Sequence, residues 1–204
     1  MRDDENTTVK PKIPRGRPRE FNEDDVVLRL VNLFWDKGYE GTSLSDIVSA
    51  TGLKKGSLYS LYGGKRDMYL KSLAYYNQQY VEGACAALRD KNSGAPRTRI
   101  DNFLSSPIKA VTDNDDYRGC FLCNAAANIA KRDVDVQQSI SAGHDNMLQA
   151  LEAVLREDNS IVDGPDIARR ARALLVTYTG LRILVRANPD IEILQDAKKA
   201  ALEF

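Results

Sequence analysis

Residues 54 to 60 carry the kinds of groups that bind phosphates and base edges in nucleic acids. The segment has two lysines, two serines and a tyrosine, whose flat aromatic ring ends in a polar hydroxyl. Its glycine permits close approach of the backbone to DNA, because it has no Cβ atom. Phosphate contacts of such groups position a protein on DNA, and base contacts select the sequence. The candidate residues are Lys54, Lys55, Gly56, Ser57, Tyr59 and Ser60.

Three residues beside this segment could also bind phosphate. Thr42 and Ser43 stand at the predicted start of a helix, where hydroxyl and free backbone N–H groups suit an anion. Lys65 stands at the start of a later predicted helix and could bind a second phosphate. The residues alone leave two alternatives open. Tyr59 and Tyr62 could both be core aromatics, and Lys65 could be an ordinary capping or solvated lysine.

A different chemistry is indicated by the segment RGCFLCNAAA, residues 118 to 127. Cys120 and Cys123 lie near a predicted helix start, where the partial positive charge lowers the pKa of a thiol and favours the thiolate. The positive charge of Arg118 adds to that effect. Such thiols could sense oxidants or electrophiles. The alternative is that both cysteines are small buried hydrophobic residues.

Other kinds of chemistry lack the residues that they require. The Cys-x-x-Cys pair has no compact set of metal ligands, since its companions would be His144 and the distant Cys85. The run GGK at 63 to 65 resembles part of a phosphate-binding loop, but Arg66 stands where that loop needs Ser or Thr. His144, the sole histidine, has no evident nucleophile partner. We therefore expect no metal, no cofactor and no enzyme activity.

Helix signals place the first segment in a small N-terminal bundle. Asn22 can cap a helix whose first turn is acidic, and Gly38 ends that helix. Residues 43 to 46 form a capping-box pattern that begins a second, short helix. A third helix over about 55 to 62 is ended by two glycines. Two short helices in this order are typical of a helix-turn-helix, whose second helix enters the major groove of DNA.

The rest of the chain predicts an all-α fold. Apolar residues recur every three or four positions after the glycine pair, which indicates a long amphipathic helix. No segment shows the alternation of a strand. Further helices are predicted near 97 to 112, 118 to 131, 134 to 157, 165 to 187 and 190 to 203.

Composition limits what could hold the protein on DNA. The 204 residues are 43% hydrophobic, enough to bury a core, and their formal net charge is zero. Any DNA site must therefore be local, because no overall positive field exists. Residues 1 to 20 are polar and basic with three prolines, so we expect a flexible arm. Arg17 and Arg19 of this arm are candidate DNA contacts.

The expected compartment is the cytoplasm. No apolar run approaches the ~20 residues that a membrane span needs, and the first residues lack the apolar stretch of a secretory signal. The three cysteines do not read as a disulfide framework and suit a reducing compartment. No membrane partner is expected.

Three strings in order resemble the tetracycline-repressor (TetR) family over residues 16 to 70. They are GRPREF (16 to 21), LFWDKGYEGTSLSDI (33 to 47) and TGLKKGSLYSLYGGKRDMY (51 to 69). The resemblance implies an N-terminal three-helix helix-turn-helix domain over 21 to 66 and a C-terminal helical ligand-binding and dimerisation domain over 67 to 204. It also implies that a set of matching positions contacts DNA, chiefly at phosphates: Thr42, Lys55, Gly56, Ser57, Tyr59, Ser60 and Lys65. Ser60 departs from the aromatic residue that often follows the tyrosine in this family.

The same resemblance implies two properties of the C-terminal domain. One is a homodimer, formed by helices from about 165 to 203, with these candidate contacts: Leu174, Thr177, Leu181 and Leu184. The other is a cavity for a small-molecule effector, with these candidate lining residues: Tyr76, Tyr80, Phe103, Cys120, Phe121, Asn124, Met147 and Tyr178. For both sets the alternative is packing within the subunit's own core.

The expected function is therefore regulation of transcription. We expect a repressor that binds double-stranded operator DNA as a dimer and is released by an unknown small molecule. Two alternatives stay open at this point. One is a repressor that senses oxidants or electrophiles through Cys120 and Cys123, and the other is an architectural DNA-binding protein that needs no ligand.

Overall fold

The computed structural model describes residues 22–158 and 164–203, and within these ranges the chain is helical without any β-strand. The N-terminal part has three helices: α1 (Glu23–Gly41), α2 (Leu44–Thr51) and α3 (Lys55–Tyr62). The side chain of Asn22 caps α1 by accepting a hydrogen bond from the N–H of Asp24 (3.0 Å). Gly38 interrupts α1 with φ of 73°, which only a glycine adopts easily, in agreement with its predicted role.

The small core of this part comes from one face of each helix. Its largest fully buried side chains are Leu30, Phe34, Ile47 and Leu58. Phe34 also packs edge-on against Tyr69, with ring centroids 5.1 Å apart. Burial of these side chains fixes the angle between α2 and α3, because apolar burial is the main stabilising term in so small a unit.

A long helix then leads into the C-terminal part, but it is not uniform. It consists of α4 (Lys65–Tyr76), a π-helical turn (Asn77–Val81) and α5 (Glu82–Arg89). The Asn77 side chain donates hydrogen bonds to the carbonyl oxygen (2.9 Å) and hydroxyl oxygen (3.2 Å) of Ser139. The sequence pattern predicted an uninterrupted helix, and the wider turn comes with this contact to a neighbouring helix.

The C-terminal part has five more α-helices. They are α6 (Pro96–Asn114), α7 (Phe121–Asn128), α8 (Val134–Leu155), α9 (Gly164–Leu184) and α10 (Ile191–Leu202). Helix α8 packs against both α5 and α9, and α10 packs against α6 and α9. The predicted segment 118 to 131 is helical only from Phe121, because residues 115 to 120 form a non-helical link. None of the helices in the described ranges is long and apolar enough to cross a membrane.

Candidate nucleic-acid interface

Helix α3 presents its polar residues on one exposed face. All six residues predicted from the segment 54 to 60 are exposed to solvent: Lys54, Lys55, Gly56, Ser57, Tyr59 and Ser60. Tyr59 is 46% exposed, so it is not a core aromatic, whereas Tyr62 at 7% is buried as its alternative role required. No acidic residue occurs in α3. This face therefore offers positive charge, hydroxyl groups and a ring without a nearby carboxylate in its own helix.

The support behind that face is rigid. Ser43 and Asp46 form a capping box at the start of α2, in which each side chain accepts a hydrogen bond from the other's backbone N–H. Gly52 ends α2 in the left-handed conformation (φ 72°). The hydroxyl of Thr51 donates to the carbonyl of Ile47 and accepts from the N–H of Leu53 (3.3 Å). The turn between α2 and α3 is thus fixed at both ends.

The lysine at the end of α1 strengthens this support. Lys37 Nζ lies 2.7 Å from Asp46 Oδ1. This hydrogen bond, followed by those from Ser43, holds the pKa of the Asp46 carboxyl well below its usual range. Asp46 is therefore ionised at neutral pH and pairs with Lys37.

The three flanking candidates differ in how well they fit DNA contact. Ser43 is exposed, but its hydroxyl already pairs with Asp46 (2.7 Å). Lys65 lies with its Nζ 4.4 Å from the centre of the Tyr39 ring, a cation–π contact that holds it at the start of α4. Thr42 is 1% exposed, and its hydroxyl donates to the Gly38 carbonyl (2.7 Å). The expectation that the Thr42 hydroxyl is free for phosphate is therefore not met. Arg17 and Arg19 lie outside the described residues.

The candidate effector residues form two buried groups rather than the wall of one cavity. In the first group, Tyr76 stacks on Tyr80 (4.9 Å) and packs edge-on against Phe121 (5.7 Å). The Tyr76 hydroxyl also lies 3.7 Å from the Sγ atom of Cys120. Tyr80 remains 39% exposed at the edge of the group.

The second group lies between α6 and α9. Phe103 stacks on Tyr178 with centroids 4.0 Å apart. The guanidinium of Arg182 donates to the Tyr178 hydroxyl (3.0 Å) and to Ser106 (3.2 Å). Phe103 and Ser106 also line a cavity of about 200 Å³. Of the remaining candidates, Met147 is buried at 3% exposure, and Asn124 donates to a backbone carbonyl of the link before α7 (3.1 Å).

Cys120 and Cys123 are both buried, with 3% and 7% of their surfaces exposed. Cys120 is the residue that precedes α7, as its predicted place at a helix start requires. The hydrogen bond from Cys123 lowers the pKa of Cys120, and the hydroxyl of Tyr76 and the charge of Arg182 act in the same direction. The pKa of Cys123 is raised by its pairing with Cys120 and by burial. One thiol of the pair is therefore biased towards the thiolate.

The predicted dimer contacts are only partly on the surface. Leu174 and Leu181 are each 1% exposed, so they pack inside the subunit. A dimer interface is made by exposed side chains, so the prediction that these two residues form it is wrong. Thr177 is half-buried and Leu184 is 41% exposed. The apolar residues that do face solvent on α9 and α10 are Val176 (72%), Ile183 (52%) and Ile193 (55%). The helical stripe chosen from the sequence was the inward one.

Arg66 and Arg118 link distant parts of the chain through contacts that sequence reasoning did not predict. Arg66 in α4 makes two hydrogen bonds to Asp133 before α8 (2.6 and 2.8 Å) and pairs with Asp135. Arg118 lies over the ring of Trp35 in α1, 4.1 Å from its centre. The partners are 67 to 83 residues away along the chain, so no local pattern could reveal them. Among the described residues, no group of His, Cys, Asp and Glu is arranged to hold a metal.

Comparison with known proteins gives one family and several relatives of similar length. Residues 30–71 match the family model described as bacterial regulatory proteins, tetR family. An uncharacterised HTH-type transcriptional regulator of Bacillus subtilis, YezE, is 29% identical over 187 residues, which cover 89% of this chain and 94% of the relative. The HTH-type transcriptional repressor ComR of Escherichia coli is 27% identical over 95% of this chain and 93% of its own length. These relatives are named as regulators of transcription and not as enzymes.

Solved structures share the fold at lower identity. The TetR family regulator CifR, as a cysteine mutant in complex with 26 bp of double-strand operator DNA, superposes with a TM-score of 0.79 and 24% identity, covering 91% of this chain and 98% of its own. The reduced form of Escherichia coli NemR gives a TM-score of 0.77 at 18% identity, over 87% of this chain and 93% of its own. The similarity therefore covers both parts of the molecule.

Proposed function

The chain belongs to the tetR family of bacterial regulatory proteins and is a DNA-binding regulator of transcription, and from this premise we propose that it is a homodimeric repressor of a palindromic operator. A small-molecule effector would release it from that site. A regulator of this kind acts where the bacterial chromosome lies, so we place it in the cytoplasm.

The observation that carries the DNA-binding role is the exposed face of α3. Lys55, the preceding Lys54 and the hydroxyl groups of the helix reach solvent together, while Leu58 and Tyr62 anchor the opposite face in the core. In a helix-turn-helix this is the helix that enters the major groove, with its N-terminal residues on the bases. We propose that Lys54, Lys55, Ser57, Tyr59 and Ser60 contact phosphates or bases of the operator.

Selection of preferred sites from random double-stranded DNA tests this role. We expect a short palindrome, protected against nuclease in two half-sites about one helical turn apart. A ligand-independent architectural protein would instead coat DNA with little preference, as non-specific binding does. Absence of a preferred site would contradict the repressor proposal.

The dimer proposal is supported by the exposed apolar residues of α9 and α10. Val176, Ile183, Leu184 and Ile193 would be buried if these helices packed against the same pair in a second subunit. Exposed apolar residues in such a group mark interaction surfaces. A dimer also gives the two recognition helices that a palindromic operator requires.

The effector proposal is supported by a cavity lined by both apolar and polar side chains, next to a set of hydrogen-bonded polar groups. Arg182, Tyr178 and Ser106 form a connected set beside the 200 Å³ cavity lined by Phe103. Effector sites combine apolar walls with a few such polar groups. An effector bound there would have to favour a different arrangement of the two DNA-binding parts, since only differential binding shifts an equilibrium.

A second candidate signal is an oxidant or electrophile at Cys120. The polar contacts of this thiol with Cys123 and Tyr76 favour it, because buried cysteines in apolar surroundings are inert. Peroxide would convert the Cys120 thiol to a sulfenic acid, with water as the other product. At 3% exposure only small reagents reach it.

Operator binding in the presence of peroxide tests this candidate, with Cys85 as the matched control. Cys85 is also buried, but burial raises its pKa to about 11, so it stays a thiol at neutral pH. We expect Cys120→Ser to abolish release by peroxide and Cys85→Ser to leave it unchanged. Equal release of both variants and the native protein would eliminate Cys120 as the sensor.

A further inference from the structure

The link between α6 and α7 places one arginine between the DNA-binding part and the end of α9. Arg118 Nη1 donates to the side-chain oxygen of Asn32 on α1 (2.8 Å). Its guanidinium carbon lies 4.1 Å from the centre of the Trp35 ring, one turn further along the same helix. The side chain of Arg118 therefore makes two contacts with α1, the helix that supports the helix-turn-helix.

The same residue is bound to α9 and its extension through its backbone. The Arg118 carbonyl accepts a hydrogen bond from Nη1 of Arg186 (3.0 Å). The next residue, Gly119, has φ of 72°, and a Cβ atom there would lie 2.4 Å from the carbonyl oxygen of Arg182. The link thus lies directly against the α9 backbone.

The connection between these two contacts is stiff. Asp116 accepts hydrogen bonds from Nε (2.9 Å), Nη2 (2.8 Å) and the backbone N–H (3.0 Å) of Arg118. A guanidinium held by both oxygens of a carboxylate has its direction fixed as well as its charge balanced. A displacement of the link would therefore move the guanidinium rather than only bend the side chain.

We propose that Arg118 is a positioning residue that transmits a displacement of α9 to α1 and so helps to set the orientation of the DNA-binding part. The consequence for regulation rests on the proposed function, in which α9 belongs to the dimer and effector region. Contact through packed and hydrogen-bonded groups is the physical route by which distant sites are coupled. Arg118 lies neither in α3 nor among the residues that line the 200 Å³ cavity.

The test is a double-mutant cycle read in α1 by hydrogen exchange. Arg186→Met removes the donor to the link but keeps an aliphatic side chain, and the hydrogen bond that it removes ends on Arg118 and not on α1. Arg118→Met removes the contacts with Asn32 and Trp35. We expect each single variant to speed exchange of α1 amides by about fivefold, as for loss of one net hydrogen bond. In the Arg118→Met background, Arg186→Met should have no further effect.

Two controls separate transmission from a general loss of stability. Arg89→Met removes contacts of similar kind, to Asn146 (2.8 Å) and Glu82 (3.2 Å), inside the C-terminal part. It should leave α1 exchange unchanged. If Arg118→Met fails to fold, Asn32→Ala removes the same hydrogen bond at an exposed position and replaces it in the cycle.

The cycle has one outcome that overturns the proposal. If the effects of the two substitutions on α1 exchange simply add, or if Arg186→Met has none, the link does not transmit. The measurement uses free protein, so absence of a preferred operator would contradict the proposed function while leaving this result valid. Non-additive exchange in α1 would support transmission in either case.

Discussion

The exposed face of α3 and the buried region between α4, α7 and α9, which we propose as the sensing region, use polar residues in opposite ways. On α3 the polar side chains are exposed, come from seven consecutive positions and lack partners of opposite charge in their own helix. In the C-terminal part, Tyr76, Cys120, Tyr178 and Arg182 come from three distant segments and are largely paired with one another. A surface that awaits DNA can keep its groups solvated, whereas a buried sensing region must satisfy its groups internally.

The comparison teaches where function can be altered locally. A change on α3 should affect DNA binding with little effect on folding. A change in the buried residues between α7 and α9 should affect stability and signalling together, because the same side chains form the core and the proposed sensing region.

Gly119→Ala should have the largest effect on folding. The new methyl group would meet the Arg182 carbonyl at 2.4 Å, in a backbone conformation unfavourable for alanine. We expect the free energy of unfolding to fall by about 3 kcal/mol, from left-handed strain and overpacking together. Urea unfolding measures it. The control, Gly83→Ala in α5, has open space around its Cβ and should be neutral or slightly stabilising. Equal behaviour of the two variants would show that the link is free to move.

Val176→Asp should break the dimer without unfolding the subunit. Val176 is 72% exposed on α9, so the carboxylate is solvated in a monomer but would be buried in the proposed interface. We expect self-association to weaken by more than about 100-fold, since an unpaired charge is costly to bury. Analytical ultracentrifugation measures the change. Val134→Asp, at a 62% exposed position at the start of α8, is the control. A dimer unaffected by Val176→Asp would place the interface elsewhere.

Lys55→Ala should weaken operator binding while leaving the free energy of unfolding unchanged. The charge of Lys55 is exposed on α3, and α3 has no carboxylate with which it could form an ion pair. Its removal therefore breaks no ion pair within the helix. We expect about tenfold weaker binding near physiological salt, and a salt slope smaller by about one for each subunit. Titrations at several salt concentrations give both quantities. Lys109→Ala, an exposed lysine of α6, should change neither. An unchanged salt slope for Lys55→Ala would contradict its assignment to a phosphate.

The smallest expected effect concerns His144 and pH. Burial lowers the pKa of His144 below its usual 6.5, so the unfolded chain binds the proton more tightly than the folded one. Protonation of His144 therefore lowers the free energy of unfolding as the pH falls from 6.5 towards the lower pKa of the folded state. His144→Leu should make the free energy of unfolding less dependent on pH between 7 and 5, measured by urea titration at each pH. A dependence identical to that of the native protein would mean that His144 is solvated.

The division between the two regions also explains what the sequence could predict. The cap at Asn22, the break at Gly38 and the capping box at Ser43 are local signals, and the structure has all three. The exposed face of α3 follows from the place of this helix as the second short helix of a helix-turn-helix pattern. Local signals therefore determined the DNA-binding part almost completely.

The rest depends on contacts between distant segments. The stripe of Leu174 and Leu181 was apolar, but no periodicity tells which of two apolar faces turns inward, and here Val176 faces out. The cation–π contact of Arg118 with Trp35 joins residues 83 positions apart. Nothing in the sequence indicated that the Thr42 hydroxyl has a partner. In the structure this hydroxyl donates a hydrogen bond to the carbonyl of Gly38, 2.7 Å away, where α1 bends.

The π turn at Asn77–Val81 alters the phase of the long helix. A π turn takes one residue more than an α turn, so every later side chain is rotated by about 100° from the direction that continuous α-helical counting gives it. Cys85 and Leu88 are buried only with that rotation included. The two halves of this helix therefore have separate angular registers, and the five residues between them set the direction in which the second half faces.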